Sequence, residues 1–375
     1  MGKKKIGILT LYYNNFNMGG LLQAYALQKT LVKLGYDAEQ ISFDYFRQGQ
    51  TQKTKHHEIS LLRRIVRKIK WLRDHWRFHI RENMFFGFMT NIPHSEKLYC
   101  LDNKIHNEYD IILTGSDQVW ADWLSESALK CYLLENVDDD IRKYSYAASI
   151  GTDRINHSLD NIYVKGWKKF QHISVREESA RREIKKLLPE ADVRVDLDPT
   201  LLLTPDEWMS VAREKYINQK YIFCYFLGKD QSYREAAKQL AAKMGLPIVT
   251  MPYIKENRKE KYNDNFGKYN DYSSGPAEFV GIIKNAELVI TDSFHAVAFS
   301  TQFHTKFYVL ARIIEGSGST NSRITDFLKQ FGLEAQFIDV SSLNQIDIEK
   351  RVDFSVFDNK ISGLREQSLA YLENL

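Results

Sequence analysis

An α/β fold of two Rossmann-like domains facing each other across a cleft is what this 375-residue sequence predicts, on three observations. Short apolar runs rich in β-branched and aromatic residues alternate with helical patterns, the trace left by a parallel sheet with crossover helices. The alternation forms two successive series. The chain is also longer than one hydrophobic core usually fills.

In the first series "KIGILTLY" reads as a strand and "GGLLQAYALQKTLVKLG" as a helix that stops at Gly35. "DAEQISFDY", "YDIILTGSD", "KYSYAASIG" and "HISVREE" follow as strands, then "SARREIKKLL" as a helix and "VRVDLDPTLLL" as a strand. "TPDEWMSVAREK" reads as a helix, because Thr204, Pro205 and Glu207 make a cap, a first-turn proline and a capping glutamate. In the second series "YIFCYFL", "LPIVTMPY", "AELVITDS" and "KFYVL" read as strands. "SYREAAKQLAAKMG", "GPAEFVGIIKNA", "HAVAFSTQF" and "SRITDFLKQFG" read as helices. The expected division is an N-terminal domain over 1–210, with an insertion at 47–81, a C-terminal domain over 211–350, and a helix over 351–375 packing back on the first domain.

Hydrophobic content of 43% and charged content of 27% are those of a soluble globular chain. Cys100, Cys131 and Cys224 are odd in number and form no C-x-x-C pair, which points to a reduced, cytoplasmic protein without structural zinc. The opening "MGKKKIGILTLYYNNF" breaks its apolar run too early for a signal peptide, and no stretch approaches the roughly 18 apolar residues of a membrane span.

One region departs from this composition. Residues 47–81 hold eleven Lys or Arg against Glu58 and Asp74, although the whole chain carries only +4. Ile59, Leu62, Ile65, Val66, Ile69, Leu72, Trp76 and Ile80 recur at helical spacing, with Arg63, Arg67, Lys70, Arg77 and Arg81 turned away from them. Such a helix either packs on its own domain or, over 59–81, lies on an anionic membrane surface with Trp71 and Trp76 at headgroup level. The slightly acidic remainder offers no wider basic footprint for nucleic acid.

Ligands of doubly wound sheets bind beyond the carboxyl ends of the strands, so residues just after strands are the candidates. In "YYNNFNMGGLLQAYAL", Gly19 and Gly20 open a helix whose N–H groups and dipole favour an anion or a sugar hydroxyl, with Asn17 and Gln23 as amide partners. The G-x-G-x-x-G spacing of a dinucleotide site is absent. "YDIILTGSDQVW" releases Ser116, Asp117 and Gln118, dense polar groups suited to hydroxyls, and Asp117 could deprotonate one. Arg176 in "HISVREESA" offers a fork for phosphate or carboxylate, or an ion pair with Glu177 or Glu178. In "LVITDSFHAVAF", His295 falls in the first turn of a helix, where the dipole makes a proton easier to give away, as a general acid requires. Ser293 lacks the G-x-S-x-G elbow of a nucleophile. "DDD" at 138–140 and "DLD" at 196–198 read as ordinary acidic turns, and no metal is expected.

Together "NMGGLLQAYALQKTLVKLG", "DIILTGSDQVW", "YSYAASIG", "ISVREESA", "DLDPTLLLTPDEW", "GPAEFVGIIKNAELVITDSFHAVAFSTQF" and "NSRITDFLKQFGL" resemble the polysaccharide pyruvyl transferase family, in order along most of the chain. The resemblance implies the arrangement of B-type glycosyltransferases and transfer of pyruvate from phosphoenolpyruvate, a co-substrate with no further cofactor, onto two sugar hydroxyls as a cyclic ketal in surface or capsular polysaccharide synthesis. By resemblance His295 is the acid that protonates the enol methylene and Arg176, in the first domain, grips the phosphoenolpyruvate anion. Such a donor needs a second cation, for which Arg323 is the candidate, with Ser293 and Phe294 beside it on the second domain, the expected donor side. Ser293 stands where some members carry an arginine. The acceptor side is expected on the first domain, at Asn17, Gly19, Gly20, Gln23, Ser116 and Gln118, with Asp117 beside them. An acceptor carried on a polyprenyl diphosphate would give the basic segment a purpose, holding the enzyme peripherally at the inner membrane face. A nucleotide-sugar glycosyltransferase of the same architecture and a non-catalytic sugar-binding protein are the competing readings.

Overall fold

The structure is a computed structural model that describes residues 3–13, 15–45, 76, 79–214, 217–252, 266–312 and 321–375. In chain order its first half supplies β1 (Lys5–Leu9), α1 (Met18–Lys33), β2 (Asp37–Gln40), β3 (Phe43–Asp44), α2 over 79–89, β4 (Tyr99–Cys100), β5 (Ile111–Thr114), α3 (Glu126–Tyr132), β6 (Arg142–Ser145), α4 (Asp160–Trp167), β7 (Ile173–Val175), α5 (Glu178–Leu187) and β8 (Val193–Val195). The second half supplies α6 (Pro205–Met209), β9 (Ile222–Tyr225), α7 (Gln231–Met244), β10 (Ile248–Thr250), β11 (Tyr269–Asn270), α8 (Pro276–Lys284), β12 (Leu288–Thr291), α9 (Phe294–Gln302), β13 (Phe307–Leu310), α10 (Ser322–Phe331), β14 (Phe337–Ile338) and α11 (Ser355–Glu373).

Every strand pairing is parallel. The first sheet runs β2-β1-β5-β6, and single bridges from Tyr144 to His172 and from Ala148 to Val175 carry it on to the β7-β8 pair. The second runs β11-β10-β9-β12-β13-β14, which in chain order is the 3-2-1-4-5-6 winding of a dinucleotide-binding fold. Ile111, Ile112 and Leu113 point to alternate faces of β5, yet all are fully buried, because helices cover both faces of the sheet. Strand order therefore reverses between β1 and β5 in one half and between β9 and β12 in the other. Switch points of this kind are where doubly wound sheets generally bind their ligands.

One apolar core runs through both halves. Leu21 and Leu27 of α1 pack in the same cluster as Trp208, Phe279 of α8 and Val297 of α9, and Trp208 meets Phe299 edge-on at 5.0 Å. This burial presses the N-terminus of α1 against α9 and so presets the meeting of the two halves. The terminal helix α11 reaches the first sheet, with Tyr371 donating to Ser145 O (2.9 Å) and Ser368 donating to Asp196 Oδ1 (3.0 Å).

Some expectations change. "TPDEWMSVAREK" is helical only over Pro205–Met209, since the chain turns off to let Arg213 N donate to Ala277 O (3.1 Å). Of the 47–81 insertion, 47–75, 77 and 78 lie outside the described residues. Arg81, expected on a solvated basic face, is instead buried. Its guanidinium donates to Pro252 O at 2.9 Å and to Asp271 O, two carbonyls that follow β10 and β11 and point at the same spot. Among the described residues, no helix is long and apolar enough to cross a membrane.

Candidate active site

The switch point of the second sheet is tied down before its helix begins. Thr291 Oγ1 donates to Tyr225 O (2.6 Å) and accepts from Ser293 N (3.0 Å), joining β12 to β9. Asp292 accepts from the backbone N–H groups of Leu227 and Gly228, both at 2.7 Å, and from Arg312 Nε at 3.3 Å. α9 then starts with Phe294, and His295 occupies its first turn, 6% exposed. The imidazole lies directly on Gly19 of α1. A methyl group added to Gly19 would fall on the ring, so this glycine is needed for close approach.

At the end of β7, Arg176 is buried among carboxylates. Its Nη1 donates to Asp198 Oδ2 (2.8 Å), its Nε reaches Glu177 Oε2 (3.4 Å), and its Nη2 stands 3.9 Å from Asp117 Oδ1. The guanidinium carbon is 4.4 Å from the centre of the Phe294 ring, a cation–π contact between the two halves. Asp198 caps the turn Pro199–Leu201, accepting from Thr200 N (3.0 Å) and Oγ1 (2.7 Å) on one oxygen. On the other it holds Arg176, accepts from Ser116 Oγ (3.4 Å) and stands 3.7 Å from His295 Nε2.

Charge follows geometry here. Burial alone would raise the Asp198 carboxyl, but His295 and Arg176 overturn that and hold it well below the usual carboxylate range. Burial works against the Arg176 charge, and Asp198, Glu177 and Asp117 more than offset it, so its pKa rises. Glu177 is pushed up by burial, against Arg176 and the Ser149 hydroxyl. Arg323, buried in the first turn of α10, is pushed down to about 10 by burial and then by the charges of Arg176 and Arg312. Arg176, Asp198, Phe294 and Arg323 line one cavity of about 310 Å³, with Arg182 and Lys329 also on its wall. Arg176 Nη2 and His295 Nε2 are buried without a hydrogen-bond partner among the described residues. A buried guanidinium N–H left unpartnered on the wall of such a cavity suits an anionic ligand.

Other expected residues have a local role. Asn17 Oδ1 already accepts from Gly19 N (3.0 Å) and Gly20 N (3.4 Å), so the helix end offered to an anion is capped by its own chain. Gln23 is fully buried, donating to Thr10 Oγ1 (3.0 Å) and Gly20 O (2.9 Å). The Ser116 hydroxyl is inward, bonded to Ala147 O at 2.7 Å. Gln118 Oε1 accepts from the exposed Trp123 indole (3.2 Å), and Ser293 makes no side-chain cap. Sequence reasoning missed Asp198, which it read as part of an acidic turn. The available signal was "DPT" a few residues after the end of β8, with the proline fixing the chain behind the carboxylate. Among the described residues, no group of three His, Cys, Asp or Glu is placed to hold a metal ion.

The family model described as polysaccharide pyruvyl transferase matches residues 17–312, a span that includes Asp117, Arg176, Asp198 and His295 but ends short of Arg323. No curated protein matches the chain in sequence. Among solved structures, UDP-GlcNAc 2-epimerase from Methanocaldococcus jannaschii is similar at a TM-score of 0.56 and 14% identity, covering 98% of this chain and 99% of that one. A putative UDP-N-acetylglucosamine 2-epimerase from Listeria monocytogenes gives 0.53 and 10%, covering 100% and 91%. UGT89C1 of Arabidopsis thaliana, complexed with UDP-L-rhamnose, gives 0.51 and 10%, covering 99% and 95%. At these identities the likeness is one of fold, the B-type glycosyltransferase-like pairing of two Rossmann-like halves.

Proposed function

The chain belongs to the polysaccharide pyruvyl transferase family, and from that premise we propose that it moves pyruvate from phosphoenolpyruvate onto two hydroxyls of a sugar as a cyclic ketal. What supports this reading is one convergence. Arg176 and Arg323, from different halves, line a single cavity with Phe294, and His295 follows Phe294 with ring centres 5.3 Å apart. A donor bearing phosphate and carboxylate needs more than one cation, and its enol carbon needs an acid beside them.

In this reading His295 protonates the methylene carbon, and the adjoining carbon is attacked by the first sugar hydroxyl, whose proton passes to Asp117. Phosphate then leaves with the electrons of its carbon–oxygen bond. The second hydroxyl closes the ring, and its proton departs on phosphate, while the proton on Asp117 restores His295. One phosphoenolpyruvate and one diol thus give a ketal and hydrogen phosphate. Ser293 supplies no cation, so the donor grip falls to Arg176 and Arg323. The acceptor is assigned to a surface or capsular glycan precursor on a polyprenyl diphosphate, with the basic segment at the anionic inner leaflet. Replacing Arg63, Arg64, Arg67 and Lys68 by serine should then weaken binding to phosphatidylglycerol vesicles, each charge being worth about 1 kcal/mol there.

The deciding assay offers phosphoenolpyruvate with a panel of galactosides and mannosides, free and lipid-linked. Phosphate release with a product heavier by pyruvate less water is expected, and it should vanish in His295→Ala. Turnover of a nucleotide sugar with nucleotide release, and none of phosphoenolpyruvate, would refute the proposal.

A further inference from the structure

The proton donor of this reading and the arginine at the same cleft belong to different halves of the molecule, and one carboxylate stands between them. Asp198 Oδ2 accepts from Arg176 Nη1 at 2.8 Å and lies 3.7 Å from His295 Nε2, just beyond hydrogen-bond length. Its other oxygen is held by Thr200 N and Oγ1 and Pro199 follows it in the chain, so the group is fixed from behind. His295 Nε2 is meanwhile buried without a hydrogen-bond partner among the described residues. The carboxylate beside the imidazole is Asp198; Arg176 shares that carboxylate, and Glu177 (3.4 Å) and Asp117 (3.9 Å) stand on Arg176 in turn. α1 presents Gly19, and α9 contributes the neighbouring Phe294 ring.

We infer that Asp198 is the positioning residue that aims His295 at the donor and ties that aim to the Arg176 grip, an assignment that rests on His295 being the proton donor. A carboxylate at this range fixes the way the ring faces, as an orienting partner does, while the positive end of the α9 dipole lies at the same turn. Asp198 and Gly19 sit on the first half and His295 on the second, so the acid is assembled only when the halves meet. Moving them apart would leave the imidazole without its carboxylate.

The test compares wild type, Asp198→Asn, Asp198→Glu and His295→Ala in kcat and in KM for phosphoenolpyruvate across pH. Asp198→Asn is expected to lower kcat about 10- to 100-fold. It should also move the alkaline limb of kcat to lower pH, since the Asp198 charge beside the ring is gone. A limb in the wild-type position overturns the assignment, whatever the size of kcat. Should Asp198→Asn fail to fold, Asp198→Glu carries the test. It should lower kcat with KM within about twofold, and a rise in KM at unchanged kcat would mean that Asp198 only ties Arg176. A readout free of any acceptor is the carbon-13 resonance of the His295 ring, identified by its loss in His295→Ala. It should titrate at lower pH in Asp198→Asn, and coincident titrations overturn the inference. Ketal formation that persists in His295→Ala refutes the proton-donor reading itself. An inactive His295→Ala with an unmoved Asp198→Asn limb refutes only the role of Asp198.

Discussion

The imidazole of His295 rests on the backbone of Gly19, a contact between α9 of one half and the first turn of α1 of the other. Neither residue can be moved without the other. The apolar core shared by α1, α8 and α9 holds the two helices in this register, so the site inherits its geometry from the packing between halves.

Gly19→Ala should therefore act as a displacement of His295. The added methyl overlaps the ring, and a shift near 1 Å at a reacting group costs about 100-fold in rate. Steady-state kinetics should show that loss in kcat, with KM for phosphoenolpyruvate changed far less because Arg176 and Arg323 are untouched. A variant as active as wild type would mean that His295 needs no fixed place.

Arg323 is held in a position that burial and two neighbouring guanidiniums make costly for a cation, with its pKa pushed down to about 10. An anion entering the cavity relieves that repulsion. Arg323→Ala should lose most of the upward shift in thermal midpoint that phosphoenolpyruvate gives wild type. Arg323→Lys should keep only part of the shift, because it keeps the charge and loses the fork. Equal ligand-induced shifts in all three proteins would remove Arg323 from the donor site.

The central strands β1, β5, β9, β12 and β13 were legible because they are apolar on both faces and stand between turn residues, whereas the two-residue edge strands β11 and β14 of the second sheet were not. Short helices were not: α3 and α4 are seven and eight residues long, less than the span over which helical periodicity declares itself. At the site, His295 and Arg176 could be read from their places after strands. Asp198 could not, since its meaning comes from Ser116, 82 positions away, and from His295 in the other half, whereas its local sequence looks like a cap. Asn17 shows the converse. Read as a ligand group, it is the cap of its own helix, satisfying the very N–H groups assigned to an anion.

The depressed pKa of Asp198 carries a pH signature in stability. A carboxyl whose folded pKa lies below its unfolded one stabilises the fold above the unfolded value, about 3.9, and loses that contribution as pH falls through the folded value. The stability difference between wild type and Asp198→Asn should thus be full at pH 6 to 7 and shrink below about pH 4. Urea unfolding at stepped pH measures it. A difference constant down to pH 3 would show that the Asp198 charge is not stabilised by Arg176 and His295.

Arg81 permits a separate test of how the halves are joined, away from the chemistry. Its buried guanidinium links the helix α2, from the first half, to the carbonyls of Pro252 and Asp271 in the second, and burial lowers its pKa in spite of Asp271. Substitution by alanine strands two carbonyls and opens a void, while substitution by methionine fills the void and strands only the carbonyls. Arg81→Ala should cost about 2 to 4 kcal/mol of unfolding free energy, and Arg81→Met less. Neither should alter KM for phosphoenolpyruvate if Arg81 acts only as a strut. A rise in KM in Arg81→Met, at a temperature where the variant is fully folded, would instead mean that the strut sets the cleft and that the join between halves controls donor binding.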